Sequence, residues 1–329
     1  MVLNINRTAR DSWLRRCGVL LMAAAFIALM ICGPSHAKTV KQRTFASPEE
    51  AVKALVEALK TKDIQALEII FGPGNKDLVS SGDPVSDNAG ADRFVSLYAE
   101  KSRLQEESAK KVLLYLGNED WPFAIPIVKK DALWHFDAKE GRKEILARRI
   151  GKNELLTIQF CLAYVDAQRE YALEDRDGDA LPEYARKFLS DPEKKNGLYW
   201  KVKEGGKQSP LGPLAAEADK QGYTRLGEGK PSPYHGYYFR ILKAQGKSAP
   251  GGAYDYMVKG KMIGGFALVA YPAQYASSGV MTFIVNHDGV VYQKDLGRQT
   301  GKTAQAMKLF NPDSTWKKVE DKDLKAENM

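Results

Sequence analysis

Cysteine, histidine and long apolar runs are all scarce in this chain, and each scarcity closes off a class of function. The cysteines are Cys17, Cys32 and Cys161, so there is neither a disulfide framework nor a C-x-x-C redox or zinc pair. The histidines are His36, His135, His235 and His287, and none stands in the H-E-x-x-H pattern of a zinc protease. A G-x-S-x-G elbow is missing as well. Gly246-Lys247-Ser248-Ala249-Pro250-Gly251-Gly252 has the wrong spacing, and its proline and glycines forbid the helix that must follow. Gly297-Arg298-Gln299-Thr300-Gly301-Lys302-Thr303 resembles a P-loop but is one residue short between its glycines. The phosphate nest depends on that count, so no nucleotide is expected. No block of five like charges occurs, and the excess of Lys and Arg over Asp and Glu is mild. That argues against nucleic acid as a partner.

What is present begins with an address. Arg7, Arg10, Arg15 and Arg16 precede an unbroken apolar run from Cys17 to Cys32, followed by Gly33-Pro34 and the small-x-small site Ser35-His36-Ala37. This order predicts a secretory signal peptide cleaved after Ala37, with a mature start at Lys38 in the periplasm or medium. The run falls short of the roughly 20 residues that span a bilayer, so no transmembrane span is expected after cleavage. Gly18 and Val19 stand where twin-arginine export wants bulky apolar residues. Ile31 is too large to precede a lipidated Cys32. Cleavage removes four arginines and one aspartate, leaving 45 basic against 40 acidic residues. Cys161 alone survives, and it reads as a buried small hydrophobe.

Capping and period lay out the rest. Ser47-Pro48-Glu49-Glu50 is a helix start with a capping box, and Val52, Leu55, Val56 and Leu59 form one apolar face. Further helices are expected over about 64–71 and 91–102, the latter after a polar loop from Ser80 to Asn88. Strands are expected over 111–117, 121–129 and 131–136. Residues 140–150 and 153–174 read as two helices divided at Gly151, with Asn153 as a cap. The period then changes to two, giving strands over 236–244, 264–271, 280–286 and 289–295, the last pair joined by the hairpin signal His287-Asp288-Gly289. The expected organisation is a signal peptide (1–37), an N-terminal α+β subdomain (38–138), a helical linker (139–174), a loop-rich connector (175–232), a C-terminal antiparallel sheet subdomain (233–312) and a charged, fraying tail (313–329). The fold class is α+β.

Three features are candidates for chemistry. Asp175-Arg176-Asp177-Gly178-Asp179 places carboxylates at spacing two on a turn. With Glu183 and the Leu181 carbonyl they form a partial set for a structural Ca²⁺. Ala180 stands where such a loop wants glycine and Arg186 where it wants a bidentate glutamate, and the competing reading is a solvated acidic turn neutralised by Arg176, Arg186 or Lys187. Among the histidines, His235 stands out, lying in Pro233-Tyr234-His235-Gly236-Tyr237-Tyr238. It is the one candidate acid/base, with Asp255 as a carboxylate partner, against a purely packed role. Tyr234, Tyr237 and Tyr238 open a tyrosine-rich stretch that either forms a ligand surface or fills the half-exposed face of a sheet.

The residues also carry a resemblance. Residues 232–297, together with 121–128 (WPFAIPIV), Trp134-His135-Phe136-Asp137, 148–154 (RRIGKNE), 164–171 (YVDAQREY) and the Asp175–Asp179 turn, strongly resemble the DUF2950 family of exported bacterial proteins. The resemblance spans essentially the whole mature chain. It implies an envelope protein and brings no assigned activity or catalytic residue. Two weaker likenesses touch fold alone. Residues 47–71 are similar to the opening helices of NTF-two-like domains, and 264–294 to the sheet of pseudopilin-type proteins. The expected function is a non-catalytic binding or structural accessory protein with an unidentified envelope partner. The alternative is an envelope hydrolase of peptide or glycan using His235.

Overall fold

The computed structural model describes residues 41–203, 205–223 and 232–320. The expected leader, its expected cleavage site and the last nine residues of the tail lie outside these. Helix α1 (Pro48–Lys60) begins where the capping pattern puts it, with Glu50 N donating to Ser47 Oγ at 3.2 Å and Pro48 in the first turn. It buries Val52, Leu55 and Val56. Helix α2 (Ile64–Phe71) is capped by Asp63, and α3 (Lys76–Val79) is a single turn. Helix α4 (Pro84–Glu100) starts earlier than expected, because Asp83 caps it and Pro84 occupies its first position. The polar loop before it therefore ends at Asp83.

An antiparallel sheet follows, formed by β1 (Ser102–Ser108), β2 (Lys111–Leu116), β3 (Trp121–Pro122), β4 (Ile127–Lys130) and β5 (Leu133–Phe136). Its order is β1-β2-β4-β5, with β3 beside β2. β1 has no counterpart in the expectation: SRLQEES has one apolar residue and is mostly exposed, so no alternation marks it. Leu114, Ile125, Ile127 and Phe136 pack against Leu55 and Ile70 to make the first core.

Helix α5 (Ala138–Tyr171) is one unbroken helix of 34 residues, where two were expected. A mid-helix glycine costs only about 1 kcal/mol relative to alanine, and long-range bonds on either side of Gly151 offset it. Arg149 donates to Asp77 O at 2.6 Å and to Leu78 O at 2.8 Å. Asn153 is no cap: it is buried in the helix and donates to Ser278 O at 2.9 Å. Glu154 Oε1 accepts from Val280 N and Met281 N at 2.8 and 2.9 Å. The RRIGKNE segment is thus a two-sided clamp, holding the end of α3 with one side and the 278–281 turn with the other.

Among its described residues the connector is irregular except for α6 (Gly212–Lys220) and a parallel bridge between Leu189 and Tyr199. Beyond it come β6 (Tyr237–Leu242), β7 (Ala244–Gln245), β8 (Tyr254–Asp255), β9 (Met257–Val258), β10 (Lys261–Met262), β11 (Ala267–Pro272), β12 (Met281–Asn286) and β13 (Tyr292–Asp295). A short helix, α7 (Thr300–Ala306), and β14 (Lys317–Lys318) are the last elements among the described residues. The main sheet runs β14-β13-β12-β11-β6, antiparallel throughout. All of β11 is buried, and Phe266, Leu268 and Phe283 join Phe160 and Tyr164 of α5 in a second core. The tail is ordered further than expected, since β14 pairs with Tyr292 and Gln293 and Val319 is buried. An exposed Lys-Lys pair on an edge strand also discourages pairing with a second chain. The fold is α+β, and no helix among the described residues is long and apolar enough to cross a membrane.

Candidate functional site

A cavity of about 580 Å³ opens between α1, α2, α4 and α5, within the roughly 300–1,000 Å³ range of small-molecule sites. Leu55, Leu59, Leu67, Phe71, Phe94 and Ile145 give it apolar walls. Helical spacing places the lining residues. Ile145, Arg149 and Lys152 fall at i, i+4, i+7 on α5, so that wall runs from an apolar to a cationic side chain. Leu55 and Leu59, at i, i+4 on α1, form an apolar wall, and Lys62 follows in the turn beyond the helix at φ +53°. The clamp has a second use here. Arg149, by capping the α3 carbonyls, fixes Leu78 and Val79 on the cavity's lip. Arg142 adds bonds to Gly74 O, Asn75 and Asp77.

His235 also faces this cavity. It sits with Gly236 at the tip of a two-residue turn closed by Tyr234 and Tyr237, and both tip residues have positive φ, +48° and +75°. His tolerates that conformation better than most residues, and glycine accepts it freely. Gly236 is needed for space as well, since a Cβ there would lie 2.6 Å from Asn153 Nδ2. Asp83 pins the turn. Its buried carboxylate accepts from Ser86 N at 3.1 Å, from Tyr223 Oη at 3.0 Å and from Gly236 N at 2.7 Å. Tyr223 Oη in turn lies 3.3 Å from His235 N and 3.4 Å from His235 Nδ1. The one phenolic hydrogen is committed to Asp83, so Nδ1 can meet that oxygen only as a donor. This fixes the neutral tautomer with Nε2 as the free acceptor. Burial pushes the His235 pKa down to about 4, and the imidazole is neutral at pH 7.

Asp255, the expected partner of His235, is elsewhere. It lies exposed on β8, accepts from Met257 N, and has no bond to His235. The carboxylate that holds the His235 turn is Asp83, which bonds Tyr223 Oη and Gly236 N and not the imidazole. Sequence reasoning missed Asp83 because its partners lie 140 and 153 residues away. The Asp83-Pro84 pair signals a helix start, and nothing local shows that the cap also holds a distant turn. The hydroxyl that comes within reach of His235 is phenolic and already used, so no nucleophile stands beside the ring among the described residues.

The Asp175 loop brings Asp175, Asp177 and Asp179 together, with carboxylate oxygens within 4.8 Å of one another. Asp175 accepts from the backbone N–H groups of Asp177, Gly178 and Ala180, which lowers its pKa. Ala180 takes the left-handed conformation that glycine would supply, at φ +63°. Lys261 fills the cation's role. Its ammonium bridges Asp177, at 2.7 Å, and Asp179, lowering the Asp179 pKa and raising its own. The three local bases are engaged elsewhere. Arg176 lies over the rings of Tyr171 and Trp200 and bonds Tyr171 O and Glu174, Arg186 donates to Gly260 O, and Lys187 pairs with Asp191. Glu183 is not one of the clustered carboxylates.

The tyrosines do not form a platform. Tyr237 is fully buried, with its hydroxyl donating to Met281 O at 3.0 Å, and Tyr234 is buried against Phe160. A side chain on Gly279 would fall on the Tyr237 hydroxyl. Only Tyr238 keeps a part-exposed face, and it pairs with Tyr271. Cys161 is buried and its thiol pKa is pushed up by desolvation, so it is inert.

No curated protein and no solved structure matches the chain, so the NTF-two-like and pseudopilin-type likenesses rest on sequence alone. The model of a family described as "Protein of unknown function (DUF2950)" matches residues 42–319, which take in the clamp, the cavity and both sheets. The chain belongs to that family.

Proposed function

We propose that this is an exported, non-catalytic binding protein of the envelope, and that its ligand is an apolar small molecule held in the α1–α2–α4–α5 cavity. The observation that carries the reading is the cavity itself, a preformed apolar space with a few convergent polar groups. Among the described residues the hydroxyl within reach of His235 is that of Tyr223, already bonded to Asp83, which favours binding over hydrolysis. Ala91, on the α4 wall, gives the test. Titration with the neutral dye Nile red is expected to saturate in the wild-type chain. It is expected to weaken by at least about tenfold in Ala91→Trp, which fills the space, with the far-ultraviolet circular dichroism unchanged. No saturable binding, or equal binding in the variant, removes the cavity as a ligand site. Intact mass of the protein recovered from cells tests the address, since an uncleaved leader or a lipid on Cys32 contradicts processing after Ala37.

The Asp175 loop belongs to this proposal as a brace rather than a reaction centre. We read it as neutralised by Lys261, so an entering Ca²⁺ must displace the ammonium. Millimolar calcium is expected to leave the wild-type melting midpoint within about 1 °C of the chelator control. In Lys261→Met the same calcium is expected to stabilise by about 1.4 kcal/mol when present at tenfold over its Kd, and Asp177→Ala is expected to abolish that gain. A wild-type response as large as that of Lys261→Met would show that the lysine does not hold the site.

A further inference from the structure

We infer that the cavity's occupant is a single-chain anionic amphiphile, whose head group is held by Lys152 and Arg93 and whose chain lies among Leu55, Leu59, Leu67 and Phe71. The inference rests on the cavity being a ligand site and adds the chemistry of the ligand. Charge carries it. Among the described residues four cations line the cavity, Lys62, Arg93, Arg149 and Lys152, against one carboxylate, Asp87. That carboxylate is spent inward, on Ser81 N at 2.9 Å, and burial raises its pKa toward the neutral form.

The cations are not equivalent. Lys62 is paired with Asp92 at 3.1 Å, and Arg149 is committed to the carbonyls of Asp77 and Leu78. Lys152 and Arg93 are exposed and carry no ion pair or hydrogen bond among the described residues. Unpaired cations on the wall of an apolar pocket select a ligand with apolar length and one negative end. His235, neutral and lining the same cavity, adds an acceptor without adding charge.

The test compares heads on one chain length. The full chain, expressed with its own leader, is titrated calorimetrically with dodecanoate, dodecyl phosphate, dodecanol and dodecyltrimethylammonium, each below its micellar concentration. At least one of the two anions is expected to bind about tenfold more tightly than dodecanol. The tighter of the two distinguishes a free fatty acid from a phosphate-headed lipid. Arg93→Met with Lys152→Met is expected to erase that advantage while leaving dodecanol affinity unchanged. Equal affinities for anion and alcohol, or tighter binding of the ammonium, overturn the head-group seat and leave the apolar cavity standing. If none of the four binds, the cavity reading falls and this inference with it.

Discussion

Asp83→Ala is expected to lower the stability of the fold by about 3 kcal/mol. Three donors lose their acceptor together: Ser86 N, Tyr223 Oη and Gly236 N. Hydrogen bonds to a charged group contribute roughly 1.5–3 kcal/mol each, and buried donors left unsatisfied cost about 1–3 kcal/mol. The helix cap alone accounts for about 1 kcal/mol. The losses are not additive, because the His235–Gly236 turn can relax once released. Tyr223→Phe removes one donor and keeps the others paired, so it is expected to cost about 1 kcal/mol. Denaturant unfolding of the three proteins checks the ranking. An Asp83→Ala chain within about 0.5 kcal/mol of wild type, the effect of an ordinary surface substitution, would mean that the carboxylate organises nothing.

The same residues show what a sequence can and cannot disclose. Helix α1 was readable because its signals are local: Ser47 caps, Pro48 follows, and the apolar stripe at 52, 55, 56 and 59 needs only its own period. The box differs in one detail, since the Glu50 carboxylate reaches Ala46 N, one residue outside the cap. Four of the five strands of the main sheet, β6, β11, β12 and β13, were readable within a few residues from their short apolar runs and the His287-Asp288-Gly289 turn, whereas β14 lies in the tail expected to fray. Gly151 misled because its local cost is visible and the bonds that offset it are not. Those bonds join Arg149 to residues 71 and 72 positions away and Asn153 to one 125 away. The acidic loop misled in the same way. Its nearest bases in sequence were the natural counter-ions, but the one that bridges it is Lys261, 84 residues on from Asp177. Of the candidate site, His235 was found through its aromatic and glycine neighbours. Its cavity was not, because the walls are ordinary amphipathic helix faces. Nothing in the spacing of Leu55 and Leu59 shows that part of the face they share is left unfilled.

His235 supplies the second large expectation, a loss of stability on acidification. Burial is the main cause of its depressed pKa. Asp83 and Glu217 act to raise it and Lys152 to lower it, and the net value is about 4 against an ordinary 6.5. The unfolded chain takes up this proton as pH falls through about 6.5, while the folded chain resists until about 4. Between those values the unfolded state binds more protons, so stability rises with pH across the window. It is complete above it and lost progressively toward pH 4. A full shift of this size corresponds to about 3 kcal/mol, and solvent contact of the half-buried ring reduces the expectation to about 2 kcal/mol. Asp87 works in the opposite sense, because burial raises its pKa and acid favours its folded form. That contribution is common to wild type and variant and cancels in the comparison. His235→Asn is the suitable variant, since asparagine also accepts the left-handed conformation and cannot titrate. Urea unfolding at pH 7 and pH 4.5 should show wild type losing about 2 kcal/mol more than His235→Asn. Equal losses in the two proteins would mean that His235 takes up its proton at the same pH folded and unfolded, and would place the acid sensitivity elsewhere.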